Sequence, residues 1–230
     1  VGSEMCIRDR FGTALIPHRS FQIEIASSRS EIYEEGSRSP SKVEFASLEE
    51  DLKRRDFTIN AMAMDIHPDD FGKIYDPFKG KDDLDDNLLK TPLDPERTFS
   101  DDPLRMMRAA YFASKLNFKL DSACRTAIKN QAKKIDIVSW ERIRDELIKI
   151  LSTSKPSIGL VIMQKTGLLK TVFPEIDVMY DMDQSPEWHH KDIFAHTLQV
   201  VDNAAKLTNK MEIRFAALVH DIAKPPTRRI

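Results

Sequence analysis

Two arginines and an aspartate stand side by side in one short charged segment. Arg54, Arg55 and Asp56 precede Asn60 in a run that is otherwise small and apolar. Guanidinium groups bind phosphate oxygens through paired hydrogen bonds, and a carboxylate accepts hydrogen bonds from sugar hydroxyls. The segment can therefore hold the phosphate and sugar of a nucleotide. A surface ion-pair cluster at a helix junction is the structural alternative, and these residue types alone do not exclude it.

A second charged pair, Asp102 and Arg105, is spaced three residues apart. Side chains at this spacing project from one side of a helix, and residues 100–103 have the carboxylates and proline of a helix N-terminus. A carboxylate beside a guanidinium offers acceptors and donors that match the edge of a nucleobase. An ordinary charge pair in the first turn of a helix is the alternative.

Two further sets of residues have side chains that bind metal ions. Glu24 falls on the polar face of a predicted strand, where a two-metal phosphoryl-transfer site would place a carboxylate. His196 and the pair His220 and Asp221 fall on two predicted helices and can meet around a divalent ion. An exposed glutamate and structural histidines are the alternatives.

The N-terminal part of the chain has the pattern of β-strands. Residues 21–26 alternate apolar and polar side chains, which predicts a half-buried strand with Ile23 and Ile25 on its inner face. The polar segment 27–46 predicts a loop that ends in a short strand near Val43.

Helix signals dominate the rest of the chain. Ser47 and Glu50 have the spacing of a capping box, and Asp56 can cap a second short helix over residues 58–64. Trp140 and Ile143 begin an apolar stripe that is expected in the core. Hydrophobic periodicity predicts later helices over 122–134, 139–152, 155–166, 196–207 and 212–220.

Composition describes an ordinary globular chain with an uneven charge distribution. The 230 residues are 41% hydrophobic and 31% charged, with a net charge of −2. Segment 66–96 holds four basic and nine acidic residues, whereas segment 97–150 holds twelve basic and seven acidic residues. The two cysteines predict no disulfide framework and a cytoplasmic setting, and no apolar run is long enough to cross a membrane.

The order of these segments resembles a known family. Segments 50–61, 76–84, 102–109 and 139–144 resemble, in that order, the class II CCA-adding tRNA nucleotidyltransferase and poly(A) polymerase family. The run that contains Arg55 is the most specific of them. Residues 189–225 are similar to the HD-type domain that follows in many bacterial members.

The resemblance implies an α+β fold. It comprises a partial polymerase-β-like nucleotidyltransferase head with a mixed sheet plus helices, a mostly α-helical neck and the start of a helical HD domain. Residues 1–10 resemble translated adapter sequence and are set aside. The implied domains are the C-terminal part of the head (11–66), a hinge or connector (67–96), the neck (97–152), a helical linker (153–187) and a truncated HD domain (188–230).

The resemblance also implies a reaction, which is addition of CTP- and ATP-derived nucleotides to the tRNA 3′ end with Mg²⁺. Arg55 and Asp56 would contact phosphate and ribose with support from Asn60, while Asp102 and Arg105 would pair with the base edge. The basic helices from residue 97 onward would help to hold the tRNA, in agreement with their charge.

The metal-binding residues follow from the same resemblance. Glu24 is a candidate for the third carboxylate of the head. His196, His220 and Asp221 match three ligand positions of the HD domain, which would hold a divalent metal.

Two departures from the family pattern qualify these implications. Asp101 stands where the family usually has glutamate, which keeps the charge. The Asp-x-Asp metal pair of the family, which would precede Phe11, is absent. We therefore expect a fragment, truncated at both ends, that binds nucleotide and adds none by itself, whereas the complete protein is an active transferase.

Other functions remain open at this point. A poly(A) polymerase, or an enzyme that adds only CC or only A, would carry the same residues. An HD phosphohydrolase with a nucleotide- or RNA-binding N-terminal part is a second possibility. A non-catalytic RNA-binding protein that uses the basic helices is a third.

Overall fold

The chain divides into a β-rich N-terminal unit and a helical C-terminal unit. The computed structural model describes residues 6–7, 14–18, 21–26, 28–32, 42–180 and 192–227. The units are Val1–Arg54 and Arg55–Ile230. This arrangement agrees with the predicted α+β fold in which strands come first and helices follow.

The N-terminal unit contains two small antiparallel sheets and one helix. One sheet has the order β1–β2–β3, and β4 pairs with β5 in the other. These elements are β1 (Cys6–Ile7), β2 (Ala14–His18), β3 (Phe21–Ile25), β4 (Arg29–Ile32), β5 (Lys42–Phe45) and α1 (Leu48–Lys53). The residues that were set aside as non-native therefore include β1.

The structure agrees with two of the expectations for this unit and departs from two others. The strand over residues 21–25 and the short strand near Val43 are confirmed. The expected burial of the first strand is wrong, because Ile23 and Ile25 are 43% and 51% exposed. The strand β4 lies inside the segment predicted as a loop, since its backbone pairs with β5; residues 33–41 of that segment lie outside the described part of the chain.

The predicted capping box begins α1. Ser47 Oγ accepts a hydrogen bond from the backbone N–H of Glu50 at 3.3 Å, and Glu50 Oε2 accepts one from the N–H of Ser47 at 2.9 Å. The hydrogen bond from the Ser47 backbone lowers the pKa of the Glu50 carboxyl. The helix therefore starts where local sequence chemistry places it.

The helix predicted over residues 58–64 is replaced by two other elements. A 3-10 helix spans Thr58–Asn60, and β6 (Ala63–Met64) pairs antiparallel with β7 (Ile74–Tyr75). The prediction was wrong because the Asp56 carboxylate bonds elsewhere and the ladder with β7 takes up the backbone of Ala63 and Met64.

The connector after β7 is packed tightly against the 3-10 helix. Asp76 accepts hydrogen bonds from the N–H groups of Gly80 and Lys81 and so caps α2 (Gly80–Asp85). Thr58 Oγ1 donates to Asp83 Oδ2 at 2.6 Å. A Cβ atom on Gly80 would lie 2.2 Å from the carbonyl oxygen of Thr58, so this close approach requires glycine.

Helices make up most of the chain beyond α2. Two short strands in this part, β8 (Leu88–Leu89) and β9 (Lys119–Leu120), form a parallel pair. The five helices predicted over 122–134, 139–152, 155–166, 196–207 and 212–220 are present, with ends that differ by up to three residues. The helices are α3 (Pro95–Asp101), α4 (Leu104–Leu116), α5 (Ser122–Gln131), α6 (Trp140–Leu151), α7 (Ser157–Lys165), α8 (Leu168–Val172), α9 (Pro174–Asp177), α10 (Ile193–Leu207), α11 (Met211–Val219) and α12 (Lys224–Thr227), with a 3-10 helix at Ala132–Ile137.

Helix α4 lies at the centre of this unit. Its Met106, Met107, Ala109 and Ala110 are fully buried, and it packs against α3, α6 and α7. The small residues allow a close approach, in which Ser114 Oγ accepts a hydrogen bond from a backbone N–H of α7 at 2.7 Å. The partly exposed side chains of Arg105 and Arg108 are therefore held by a rigid helix.

The apolar stripe of α6 is only partly buried. Ile143 and Leu151 are buried as predicted, but Trp140 is 64% exposed and Ile148 is 40% exposed. Trp140 is the first residue of α6, and burial of the stripe begins at Ile143.

Burial disfavours the reactive form of the cysteine in α5. Cys124 is a free cysteine, and burial raises the pKa of its thiol to about 11. Its thiolate form is therefore scarce at neutral pH. Within the described ranges, no helix is long and apolar enough to span a membrane.

One buried arginine joins three helices near the C-terminal end. Arg214, which is 3% exposed, belongs to α11. It donates five hydrogen bonds, to the carbonyl oxygens of Leu151, Thr153, Ala205 and Thr208 and to Asn209 Oδ1. The guanidinium thereby connects the C-terminal ends of α6 and α10 to α11.

Replacing this arginine should destabilise the C-terminal unit. In Arg214→Lys the ammonium has three donors and leaves buried carbonyl oxygens unsatisfied. We expect the free energy of unfolding to fall by about 2–4 kcal/mol in urea denaturation. The control Arg125→Lys alters an exposed arginine with one hydrogen bond, to Leu120 O at 3.4 Å. Equal stability of the two variants would contradict this role for Arg214.

Candidate nucleotide-binding site

Asp56 lies at the centre of a buried hydrogen-bond network. Its Oδ1 accepts hydrogen bonds from the N–H of Phe57 at 2.9 Å and from Asn60 Nδ2 at 3.1 Å. Its Oδ2 accepts from Arg108 Nε at 2.8 Å and from Arg108 Nη2 at 2.6 Å. A carboxylate offers about four acceptor positions, so bonds inside the protein satisfy this one. The side chain is 8% exposed.

Arg108 is the partner that connects this network to α4. Its guanidinium carbon lies 5.2 Å from the ring centroid of Phe112, and Phe112 packs edge-on against Phe57 at 5.8 Å. The Arg108 side chain is 33% exposed. One edge of the guanidinium is thus fixed by Asp56 and one face by an aromatic ring, while part of the group meets solvent.

The second predicted pair lies at the start of the same helix. Asp102 is extended between α3 and α4, and its Oδ1 accepts a hydrogen bond from the N–H of Leu104 at 3.1 Å. Arg105 Nη1 donates to the carbonyl oxygen of Thr98 at 3.3 Å. The helix predicted to begin at residues 100–103 begins at Leu104 instead, because the first two of those residues complete α3.

The two arginines of the first segment differ in their surroundings. Arg54 pairs with Asp51 at 2.7 Å in the N-terminal unit. Arg55 is exposed and directly precedes Asp56 at the start of the C-terminal unit. Glu24 is exposed on β3 of the N-terminal unit, and it is not among the residues that the C-terminal unit assembles on α4.

A separate cluster joins the predicted metal ligands. One ligand atom from each of His196, His220 and Asp221 lies within 4.8 Å of the others. The distances to Asp221 Oδ2 are 3.9 Å from His196 Nε2 and 3.3 Å from His220 Nε2. His220 Nδ1 lies 2.8 Å from the carbonyl oxygen of Ala217. If Nδ1–H donates there, the lone pair of Nε2 faces the cluster, which suits a divalent metal.

A lysine shares this cluster. Lys224 Nζ donates to Asp221 Oδ2 at 2.8 Å. The oxygen closest to both histidines thus already carries a cationic partner. A divalent ion on Asp221 would compete with the Lys224 ammonium.

Two residues that contact the predicted site residues were not predicted from the sequence. Arg108 lies three residues after Arg105, and the prediction for Asp102 and Arg105 used the same spacing. The rule that residues three apart share one side of a helix could therefore have identified Arg108. Arg142 Nη2 lies 3.6 Å from Asp102 Oδ2, although the two residues belong to different elements. No local pattern signals the second contact.

Three family models match successive parts of the chain. Residues 2–90 match the poly A polymerase head domain, residues 117–180 the probable RNA and SrmB-binding site of polymerase A, and residues 193–230 the HD domain. The head model covers the part of the chain that contains most of the strands, and the two later models cover helical parts. The chain belongs to the CCA-adding nucleotidyltransferase and poly(A) polymerase family.

Relatives with established names come from the same family. The multifunctional CCA protein of Vibrio campbellii (strain ATCC BAA-1116) is 40% identical over 186 residues, which are 78% of this chain and 44% of the relative. That of Vibrio vulnificus (strain YJ016) is 39% identical over the same shares. The chain thus spans less than half the length of these relatives.

Solved structures confirm the fold class. The Bacillus stearothermophilus CCA-adding enzyme in complex with CTP is 28% identical, with a TM-score of 0.66 over 97% of this chain and 58% of that one. A tRNA nucleotidyltransferase complexed with a primer tRNA and an incoming ATP analogue is 26% identical, with a TM-score of 0.71 over 95% and 60%.

Breaking the central ion pair should cost stability. Asp56→Asn removes the charge that Arg108 faces in a buried place, and we expect the free energy of unfolding to fall by about 3 kcal/mol. Asp101→Asn is the control, because its contact with Arg97 is exposed and 3.9 Å long; there we expect less than about 0.5 kcal/mol. Thermal and urea unfolding measure both changes. Equal losses of unfolding free energy in the two variants would contradict a special contribution of the Asp56–Arg108 pair to stability.

Proposed function

We propose that this chain belongs to an enzyme that adds CTP- and ATP-derived nucleotides to the 3′ end of tRNA. The observation that carries the proposal is the ion pair between Asp56 and Arg108, at 2.6–2.8 Å. It ties the segment that begins with Arg55 to α4, which holds Arg105 in its first turn and follows closely after Asp102. The CCA proteins among the relatives, one solved with CTP and another with a primer tRNA and an ATP analogue, support this choice of substrates.

The phosphate and sugar half of the site consists of arginines on a buried support. We assign phosphate binding to the exposed Arg55 and to the solvent-facing part of Arg108. The resemblance implies that Asp56 contacts ribose. Its saturated, buried carboxylate favours a positioning role instead, in which Asp56 orients Arg108 and Asn60.

The base half of the site explains how one pair of side chains can serve two nucleotides. Cytosine and adenine both present an amino donor next to a ring-nitrogen acceptor, whereas uracil and guanine present a carbonyl oxygen and an N–H. Asp102 can accept from the amino group, and Arg105 can donate to the ring nitrogen. The pair therefore accepts CTP and ATP and disfavours UTP and GTP.

Magnesium belongs to the proposed reaction of the whole protein. When bound, the metal neutralises phosphate charge and activates the attacking 3′ hydroxyl. In the described head, Glu24 is an exposed candidate carboxylate on β3, and one carboxylate does not suffice for a two-metal site. The residues of this chain that we assign to the reaction bind and orient the nucleotide.

The neck supplies a surface for tRNA, and the family implies a cytoplasmic enzyme. We propose that the net positive segment 97–150 contacts tRNA phosphates. We also propose the domain limits 11–66, 67–96, 97–152, 153–187 and 188–230. An enzyme that adds only CC or only A, or a poly(A) polymerase, would use the same nucleotide site, and comparison of the products formed with CTP alone and with ATP alone separates these activities.

Incorporation of radiolabelled CTP into tRNA that lacks CCA tests the function. We expect the longer protein with its upstream coding sequence to add CMP. We expect the 230-residue chain to bind CTP and add none, because Glu24 is a single candidate carboxylate and a two-metal site needs more than one. Arg105→Ala in the longer protein should lower incorporation by at least about tenfold.

Arg125→Ala, on the exposed face of α5, is the control for that substitution. Failure of the longer protein to add CMP would contradict the proposed function. Clear turnover by the 230-residue chain would contradict only its predicted inactivity.

A second activity, metal-dependent phosphohydrolysis, is favoured by the cluster of His196, His220 and Asp221. Two imidazoles and a carboxylate within 4.8 Å form a donor set for a transition metal. The match of residues 193–230 to the HD domain supports the same assignment. These residues would hold the metal, which would supply an activated water molecule.

Binding of Ni²⁺ or Mn²⁺, measured by titration calorimetry, tests this cluster without an activity assay. We expect His220→Ala to weaken binding by at least about tenfold. Lys224→Met should strengthen it, because the ammonium no longer competes for Asp221 Oδ2. His67→Ala is the control, since that histidine is exposed outside the cluster. Equal metal affinities of the His220→Ala and His67→Ala variants would contradict the assignment of a metal site to this cluster.

A further inference from the structure

Both oxygens of the Asp102 carboxylate have a partner in the protein. Oδ1 accepts the hydrogen bond from the N–H of Leu104 at 3.1 Å, and Oδ2 faces Arg142 Nη2 at 3.6 Å. The first contact comes from the start of α4 and the second from the first turn of α6. One oxygen is therefore hydrogen-bonded to the start of α4, and the other lies at ion-pair distance from an arginine of a different helix.

Helix α6 presents Arg142 to this carboxylate from a buried support. Ile143, the next residue, is 3% exposed, and α6 packs along α4. The side chains of Arg142 and Asp102 are 48% and 34% exposed. An ion pair this exposed contributes little to stability, so its consequence lies in the orientation and charge of Asp102.

We propose that Arg142 is a positioning residue that sharpens base selection through Asp102. This inference rests on the proposed function, because it assigns Asp102 to the amino group of cytosine or adenine. With Arg142 beside Oδ2, the carboxylate keeps a fixed plane, and an amino group must approach it along one direction. Uracil presents a carbonyl oxygen in the place of the amino group. That oxygen is repelled by the carboxylate, which is not free to rotate away from it.

The inference separates Arg142 from the arginines assigned to phosphate. Loss of Arg142 lets Asp102 rotate about its side-chain bonds, which weakens CTP binding and relaxes rejection of UTP. Affinity for inorganic triphosphate stays the same, because Arg142 acts on the base half of the site. A phosphate-binding arginine would lower the affinities for CTP, UTP and triphosphate together.

Competition against a fluorescent CTP analogue on the 230-residue chain measures these affinities. In Arg142→Gln we expect the preference for CTP over UTP to fall about three- to tenfold, with triphosphate affinity within about twofold of the parent. Arg142→Lys should restore part of the preference. Arg144→Gln is the matched control on the same helix, since Arg144 pairs with Asp145 at 2.9 Å.

Three results would overturn the inference. In the first, Arg142→Gln keeps the preference for CTP over UTP, whereas Arg105→Gln loses it. That result would support the base-reading site and show that Arg142 has no part in it. A parallel loss of triphosphate affinity would make Arg142 a phosphate contact. Absence of any preference for CTP over UTP in the parent chain would contradict the proposed base reading, and the role of Arg142 with it.

Discussion

The buried ion pair between Asp56 and Arg108 is the contact on which the candidate site depends. A charge that is 8% exposed is costly unless a partner compensates it. Asp56 is compensated by one arginine and by hydrogen bonds from Phe57 and Asn60. This requirement fixes the segment after Arg55 to α4, and so joins the proposed phosphate-binding half to the proposed base-reading half.

The rest of the C-terminal unit keeps the two halves in register. Thr58, in the 3-10 helix after Asp56, bonds to Asp83 and meets Gly80 so closely that no side chain fits there. Helix α4 is buried along its length against α3, α6 and α7, and Arg214 ties the end of α6 to the helices of the HD segment. A nucleotide site on such rigid helices needs little reorganisation to bind its ligand.

Local chemistry was predictable from the sequence, and contacts between distant elements were not. The capping box of Ser47 and Glu50 depends on residues three apart, and the structure contains it. The prediction that Asp102 and Arg105 lie on one helix was wrong for Asp102, because α4 begins at Leu104. The helix expected over 58–64 failed because Asp56 bonds to Arg108 on another element. Trp140 was expected in the core but is exposed. Hydrophobic periodicity shows which side of a helix is apolar, but it does not show at which residue the burial of that side begins. Arg142 has no local signature, since its partner lies on a different element.

A double-mutant cycle between Asp56 and Arg108, read out as CTP affinity, tests the central claim most directly. The cycle compares Asp56→Asn, Arg108→Gln and the double variant with the parent chain. If the ion pair positions the phosphate-binding arginine, each single change removes the same arrangement, and we predict a coupling energy of at least about 1.5 kcal/mol. Losses that simply add would show that the two residues act independently and would contradict a site held together by this ion pair.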